Sequence, residues 1–155
     1  MRIGVVSDTH GRLRPEVLSA IEGVDLILHL GDVGEAKILK RLAAIAPVKA
    51  VRGNNDFTGA CGKLPETDVL LFESHYLYLL HDLDDLHLDP AAAKFSAVLH
   101  GHTHQHSIER RRGVLYFNPG SCGPRRFHLP VTCGVLTVDV GGVTAEVIHL
   151  DKPGK

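Results

Sequence analysis

The sequence predicts an α/β protein in which two β-sheets pack against each other and helices lie on the outside. Two observations predict this fold. The first third of the chain alternates short apolar runs with helical patterns, and the later part is rich in short strands. The chain has 155 residues, enough for one compact core, and we therefore expect a single domain over residues 1–155.

The first third of the chain has the pattern of repeated β-loop-α units. A helical pattern has Pro15 near its start and Gly23 beyond its end, which indicates one helix. A second helix is indicated where Ile38, Leu42 and Ile45 fall on one helical face. The predicted strands are residues 3–6, 25–30 and 48–52, and the predicted helices are residues 15–22 and 35–46. Strands separated by helices imply a largely parallel sheet with right-handed crossovers.

The later part of the chain predicts further strands with little helix between them. A tight hairpin is indicated at residues 140–143, where two glycines are adjacent, and a short helix at residues 90–94. The predicted strands are residues 69–73, 76–80, 97–100, 107–112, 114–117, 134–140 and 143–150, of which the last four are expected to pair antiparallel.

Charge and composition argue against several classes of protein. The chain has 17 Lys and Arg residues against 18 Asp and Glu residues, so it lacks a global basic field that would hold nucleic acid or an anionic membrane. We expect neither stable nucleic-acid binding nor membrane association. The N-terminus shows no cleavable signal pattern, and we expect a cytoplasmic location. Three widely spaced cysteines fit reduced thiols rather than a disulfide framework or a thiolate zinc site.

Polar residues follow the predicted strands at five places. In α/β sheets, ligands bind at the carboxyl ends of the strands, so these residues can converge although they are far apart in the sequence. The clusters are Asp8-Thr-His10, Gly31-Asp32, Gly53-Asn54-Asn55-Asp56, His81 and Gly101-His102-Thr-His104. Carboxylate, imidazole and amide groups without thiolate are typical of a catalytic metal site. The number of such groups exceeds what one ion needs, which favours two ions that share a carboxylate.

These five clusters, in this order, resemble the signature of the calcineurin-like metallophosphoesterase superfamily. Residues 118–121, Asn-Pro-Gly-Ser, resemble the small bacterial and archaeal phosphodiesterase branch, which is related in fold to the retromer metallophosphoesterase-like subunit. The resemblance implies a four-layer αββα sandwich of two mixed sheets flanked by helices. It also implies a metal-dependent phosphoesterase, expected to be a phosphodiesterase, in which a metal-bridging hydroxide attacks phosphorus.

The resemblance also implies the ligands of two divalent ions. Manganese is the expected metal, with iron, nickel and zinc as alternatives, and Asp32 is the expected bridge between the ions. The first ion would be held by Asp8, His10, Asp32 and His104, and the second by Asp32, Asn54, His81 and His102. Asn54, Asp56 and His81 are also expected to take part in catalysis.

Two positions depart from the family pattern. The family usually has Gly after the histidine at position 81, whereas Asp82 follows here, so a different backbone turn is expected. Asn55 stands where many members have a histidine that is thought to protonate the leaving oxygen. Taken alone, both Asn54 and Asn55 would be turn residues, since asparagine tolerates left-handed backbone.

Several features leave alternatives open. Arg125 and Arg126 fit either a clamp for a substrate phosphate or an exposed basic pair. The expected substrate is a small-molecule phosphodiester, with specificity set by the loops at residues 57–68 and 83–90, and self-association stays open. The alternative function is a metal-poor scaffold or protein-binding module on the same fold, which predicts lost ligands and an exposed apolar patch.

Overall fold

Two five-stranded β-sheets form the centre of the protein. The computed structural model describes residues 1–151, and residues 152–155, where the predicted domain ends, lie outside the described residues. The first sheet consists of β1 (Arg2–Val6), β2 (Leu26–His29), β3 (Val48–Ala50), β9 (Thr132–Asp139) and β10 (Gly142–His149). The second sheet consists of β4 (Thr67–Phe72), β5 (His75–Leu80), β6 (Phe95–Leu99), β7 (Ser107–Arg111) and β8 (Val114–Asn118).

Both sheets are mixed, as predicted. The order is β10-β9-β1-β2-β3 in the first sheet and β4-β5-β6-β8-β7 in the second. The strands β1, β2 and β3 run parallel, and so do β5, β6 and β8. The predicted antiparallel pairs are confirmed for β7 with β8 and for β9 with β10, whose hairpin turns at Val140 and Gly141.

The two sheets pack face to face around an apolar core. Side chains alternate along each strand, so in β1 Ile3 and Val5 point between the sheets while Val6 points to the outer face. The core between the sheets draws on nearly every strand. Its largest fully buried members include Phe117, Ile3, Leu28, Leu77, Leu79 and Leu99. This packing brings the two sets of parallel strands together.

Two α-helices, α1 (Pro15–Ala20) and α2 (Ala36–Ala43), cover the outer face of the first sheet. Both helices end earlier than predicted. The chain leaves helical backbone ahead of Gly23, whose φ is +79°, and ahead of Pro47, which disfavours helical backbone in the residue before it. Neither helix among the described residues is long and apolar enough to span a bilayer.

The outer face of the second sheet is covered by short turns. A 3-10 turn (Leu83–Asp85) and the turn at residues 90–94 pack on side chains that include Leu80 and Val98. The predicted helix at residues 90–94 is wrong, because Lys94 adopts left-handed backbone (φ +63°) and so short a segment cannot offset the cost of helix nucleation. The outer layer is therefore thinner on this sheet than on the first.

Gly134 of β9 lies at a close approach between the two sheets. A Cβ atom at this position would lie 2.3 Å from the Cζ atom of Phe117, which is fully buried in the other sheet. We expect Gly134→Ala to lower the free energy of unfolding by about 1–3 kcal/mol, because overpacking forces the ring or the backbone to move. Urea denaturation measures this difference.

The matched control is Gly141→Ala in the β9–β10 hairpin. A Cβ atom there would meet only the Asp139 side chain, at 3.2 Å. We expect this variant to stay within about 0.5 kcal/mol of the native protein, as surface substitutions usually do. Equal loss of stability in the two variants would contradict the proposed tight approach of the sheets.

Candidate metal centre

The predicted ligands lie in loops that follow the carboxyl ends of parallel strands. Asp8 follows β1, Asp32 follows β2, Asn54 follows β3, and His81 follows β5 directly. His102 and His104 follow β6. Because the sheets pack face to face, these loops meet at one edge of the sandwich.

Five of the seven predicted ligands have left-handed backbone, which is uncommon for residues other than glycine. These residues are Asp8 (φ +58°), His10 (+47°), Asp32 (+55°), His102 (+73°) and His104 (+64°). Such backbone costs about 1–3 kcal/mol per residue and persists only where the surroundings enforce it. Strain concentrated on the predicted ligands is typical of a functional site.

Glycines allow the ligand loops to approach each other. A Cβ atom on Gly53 would lie 2.2 Å from both the backbone nitrogen and Oδ1 of Asp32. A Cβ atom on Gly101 would lie 2.1 Å from the Ser7 hydroxyl oxygen and 2.9 Å from Asp8 Oδ2. Side chains at either position would push the loops apart, so both glycines are required by the close approach.

One group of ligand atoms is formed by Asp8, His10 and His104, which lie within 4.8 Å of one another. The Nε2 atoms of His10 and His104 are 3.2 Å apart. Asp8 Oδ1 lies 3.4 Å from His104 Nε2 and 3.8 Å from His10 Nε2. Three of the four ligands predicted for the first ion therefore converge, and Asp32 Oδ2 lies 3.8 Å from His10 Nε2.

A second group is formed by Asp8, Asp32 and His81, again with ligand atoms within 4.8 Å. His81 Nε2 lies 3.3 Å from Asp32 Oδ2 and 3.8 Å from Asp8 Oδ1. Asn54 Oδ1 lies 3.0 Å from His81 Nε2 and 3.1 Å from His102 Nδ1. The structure thus brings together all four residues predicted for the second ion.

Asp8 and Asp32 lie between the two groups. Each has one carboxylate oxygen within 3.8 Å of both His10 Nε2 and His81 Nε2. The choice of Asp32 as the bridge stays a prediction, since Asp8 is as well placed. Two adjacent groups that share carboxylates have the arrangement of a dinuclear site.

The fit of divalent ions to these residues rests on a buried carboxylate oxygen. Asp8 is fully buried, and within residues 1–151 its Oδ1 has no hydrogen-bond partner. A buried anionic oxygen without a partner is costly unless a cation compensates it. The donor set of carboxylate, imidazole and amide suits divalent ions of the manganese-to-zinc series. The residues present therefore fit the implied metals.

The pKa shifts show how strongly these groups interact. Burial opposes ionisation of Asp32, but the imidazole of His81 and the backbone N–H of Asn55 outweigh it and hold the pKa of Asp32 well below its usual value. Burial would lower the pKa of His81, yet the carboxylates of Asp32 and Asp8 outweigh burial and raise it. Carboxylates that stay ionised are the form that binds a metal ion.

Asn55 holds the carboxylate of Asp32. Its backbone N–H donates to Asp32 Oδ1 at 2.8 Å, and its side-chain Nδ2 donates to Asp32 Oδ2 at 2.9 Å. Asn55 is thus more than a turn residue. Sequence reasoning missed its contact with Asp32, because asparagine serves both in local turns and in contacts of this kind.

Asp56 joins the loops beneath the ligands. Its two oxygens accept hydrogen bonds from the backbone N–H groups of Val33, Gly34 and Gly53, at 3.0–3.2 Å. These bonds connect the loop after β2 with the loop after β3. The predicted catalytic part of Asp56 stays a prediction, and its contacts are those of a residue that positions ligands.

The predicted Asn-Pro-Gly-Ser motif also positions the ligand loops. Asn118 donates to the carbonyl oxygen of Gly101 and to the hydroxyl of Thr103, at 3.1 and 3.0 Å. The hydroxyl of Ser121 donates to the carbonyl oxygen of Asp8 at 3.0 Å. The motif therefore fixes both the loop that carries Asp8 and the loop that carries His102 and His104.

His29 is a further residue of the site, and nothing in the sequence analysis singled it out. It is fully buried at the end of β2, where its Nδ1 accepts from the N–H of Gly31 and its Nε2 lies 2.9 Å from the Thr9 hydroxyl. That hydroxyl donates to the carbonyl oxygen of Val33. These contacts require a neutral imidazole with its proton on Nε2, and they connect the loops after β1 and β2. Its only sequence signal is a histidine at the end of an apolar run.

Comparisons with known proteins agree with the predicted family. A family model described as "Calcineurin-like phosphoesterase superfamily domain" matches residues 1–141. A Methanothermobacter thermautotrophicus protein named "Probable metallophosphoesterase" is 32% identical over 165 residues, covering 99% of this chain and 95% of the relative. A phosphodiesterase of Methanocaldococcus jannaschii is 31% identical over 158 residues, covering 88% of this chain and 87% of the relative.

The fold is also found in a solved structure. The zinc complex of Vps29 from Entamoeba histolytica superposes with a TM-score of 0.74 at 21% identity, covering 97% of this chain and 100% of that chain. The predicted sandwich of two mixed sheets is confirmed.

The buried His29 predicts a pH dependence of stability in the metal-free protein. Burial lowers the pKa of His29 to about 4, whereas the unfolded chain has the usual value of about 6.5. The unfolded state therefore binds more protons between these values, so the contribution of His29 is complete above pH 6.5 and decreases as the pH falls towards 4. Between pH 7 and pH 5 we expect a loss of about 2 kcal/mol from this residue.

The measurement compares the native protein with His29→Gln by urea denaturation in the presence of a chelator. The variant cannot titrate at this position, so the stability difference between the two proteins is expected to shrink by about 2 kcal/mol from pH 7 to pH 5. A difference that stays constant over this range would show that His29 takes up a proton as readily in the folded protein as in the unfolded chain.

Proposed function

This chain belongs to the calcineurin-like phosphoesterase superfamily, and we propose that it is a metal-dependent phosphodiesterase with two divalent ions at the centre described above. The observation that carries the proposal is the pair of ligand groups that share Asp8 at one edge of the sandwich. In this proposal Asp8, His10 and His104 hold one ion. Asn54, His81 and His102 hold the other, and Asp32 contacts both.

When bound, divalent ions at such a centre lower the pKa of water to supply the nucleophile and neutralise charge that develops on the phosphoryl oxygens. The protein holds the ligands in place. Asn55 fixes both oxygens of Asp32, and Asp56 fixes the loops that carry Asp32 and Asn54. A site held in this way needs little rearrangement when substrate binds.

Arg126 is the candidate for a direct contact with the phosphate. Its side chain is exposed and, within residues 1–151, forms no ion pair. Burial is the main cause that lowers the pKa of His10, and the positive charge of Arg126 acts in the same direction. Arg125, in contrast, is engaged with Asp151 and with the carbonyl oxygen of Leu129. Of the two arginines considered from the sequence, Arg126 is therefore the one that we assign to substrate.

Two observations favour a diester over a monoester. A relative with 31% identity is named a phosphodiesterase. A cavity of about 550 Å³ adjoins Asn54 and His81, which leaves space beside the ligands for a second ester substituent. Manganese as the metal, the cytoplasmic location and the lack of stable nucleic-acid binding stay predictions, and self-association stays open.

A protein-binding module on the same fold is the second candidate. It is favoured by three exposed apolar side chains on adjacent strands of the second sheet, Val69 (47% exposed), Leu71 (53%) and Tyr76 (45%). It is opposed by the presence of every predicted ligand. If the purified chain cleaves no phosphoester with any divalent metal and retains a partner protein through this patch, the second candidate replaces the first.

We expect each chain to bind two manganese ions and to lose most metal and most activity in Asp32→Ala. The reason is that Asp32 lies within reach of both ligand groups. Elemental analysis of protein reconstituted with manganese measures the ratio, and hydrolysis of bis(p-nitrophenyl) phosphate measures activity before and after a chelator.

The control is Asp84→Ala, which also removes one carboxylate but at an exposed position that belongs to neither ligand group. It is expected to keep both ions and full activity. A native chain that binds one ion or fewer at saturation would rule out the dinuclear site, while leaving a mononuclear phosphoesterase possible.

Asn55 predicts a steep dependence of the rate on the leaving group. Asparagine has no proton to release near neutral pH, and its amide is engaged with Asp32. A general acid contributes on the order of 10²- to 10⁴-fold where it acts, so esters with poor leaving groups should suffer most. A series of aryl phosphodiesters with leaving groups of graded pKa measures the slope.

Two variants test the cause of the slope. In Asn55→His a protonated imidazole can donate one N–H to Asp32, as Asn55 does, and give the proton on its other nitrogen to the leaving oxygen, so we expect a flatter slope. In Asn55→Ala we expect lower rates for all esters at the native slope, because Asp32 loses one hydrogen bond. A shallow slope in the native protein would show that another group supplies the proton.

A further inference from the structure

The cavity beside the metal centre is lined by several acidic side chains. It adjoins the predicted ligands Asn54 and His81 at one end and has a volume of about 550 Å³, within the range of small-molecule sites. Four carboxylates, one guanidinium and the imidazoles of His81 and His87 line it, so the carboxylates outnumber the permanent cation. A pocket next to a centre that attracts phosphate is therefore itself acidic.

The acidic character is concentrated in the turn that follows His81. The single guanidinium, that of Arg52, is neutralised by Glu66 and also donates to the carbonyl oxygen of Gly62. Asp56 is engaged by three backbone N–H groups. The carboxylates left to face the cavity are those of Asp82 and Asp85.

Asp82 and Asp85 differ in their surroundings. One oxygen of Asp82 accepts the backbone N–H of Asp84 at 3.0 Å, and the other lies 3.5 Å from Nε2 of His102. Asp85 is exposed, and within residues 1–151 no basic side chain forms an ion pair with it. Asp85 is therefore the cavity carboxylate that is best able to contact a bound group.

An exposed aromatic ring lies in the same cavity. Phe57 is 77% exposed, although the backbone at this residue is held tightly, since a Cβ atom on Gly62 would lie 2.9 Å from its carbonyl carbon. An aromatic face together with carboxylates binds alkylammonium groups, through cation–π attraction and ion pairing.

We propose that this cavity is the subsite for a cationic, alkylammonium-bearing substituent of the phosphodiester substrate, contacted by Asp85 and Phe57. The inference rests on the proposed function, because the phosphate is placed at the metal centre. Two divalent ions with Asp8 and Asp32 give that centre a positive charge, whereas the cavity beside it is negative. A substrate with an anionic phosphate and a cationic substituent matches both parts, and a second phosphate in the cavity would be repelled.

The test compares two esters with the same leaving group. One is p-nitrophenyl phosphorylcholine, and the other is p-nitrophenyl 3,3-dimethylbutyl phosphate, in which carbon replaces the quaternary nitrogen. We expect kcat/KM of the manganese-loaded protein to be about 10-fold higher for the cationic ester. In Asp85→Asn and in Phe57→Leu we expect this ratio to fall to about 3-fold or less.

Asp84→Asn is the matched control, since it removes the same charge from the neighbouring residue of the same turn, outside the cavity lining. It is expected to keep the native ratio. Equal kcat/KM for the two esters in the native protein, or the same ratio in Asp85→Asn and Asp84→Asn, would overturn the inference.

Failure of the proposed function can be told apart from failure of the subsite. If neither these esters nor bis(p-nitrophenyl) phosphate is cleaved with any divalent metal, the proposed function fails. Calorimetry then tests the subsite by itself. In the native protein, the dissociation constant of the cationic ester is expected to be about 10-fold lower than that of the neutral ester. In Asp85→Asn, this preference for the cationic ester is expected to be lost. Equal dissociation constants would overturn the subsite as well.

Discussion

The burial of the Asp8 carboxylate is the constraint on which the arrangement of the site depends. Three distant chain segments and the neighbouring Ser7 contact this one residue. Its backbone N–H donates to Gly31, its carbonyl oxygen accepts from Ser121, and its Oδ2 accepts from the Ser7 hydroxyl and from the backbone N–H of His102. Leaving Oδ1 buried without a partner costs free energy in the metal-free protein. A divalent cation next to Oδ1 would remove this cost, and metal binding is therefore expected to stabilise the fold.

The cost of left-handed backbone explains why the ligand loops are held by so many hydrogen bonds. Left-handed backbone at five ligands costs free energy that the loops cannot recover locally. It is offset by contacts between loops, including the hydrogen bonds that Asp56 and Asn118 make to backbone groups, and by the sandwich core beneath them. Ligand geometry is thus fixed by residues that do not touch the metal, as is usual for metal sites.

Most strands could be predicted from the sequence, because apolar periodicity is a local signal. The seven candidate ligands could be predicted because polar residues at strand ends are also a local signal. The predicted helix at residues 90–94 failed because helical propensity in a short segment is overridden by tertiary packing. The roles of Asn55, Asp56 and His29 could not be predicted for a different reason. Each depends on a hydrogen bond to a loop that is distant in the sequence, and the residue types involved also occur in turns and on the surface.

Charge at short range determines what this protein can bind, because its formal net charge is only −1. At physiological ionic strength, charges on the exposed surface are screened beyond about 8 Å, so distant residues contribute little to the field at the site. The field there is set by Asp8 and Asp32, by the side chains of the adjoining cavity, and by any divalent ions that these residues would hold. Asp82 and Asp85 are part of that field because the turn after His81 departs from the glycine usual in the family. In the proposed function, the metal ligands would direct attack to a phosphate ester, and the proposed subsite in this neighbouring turn would select which ester is accepted.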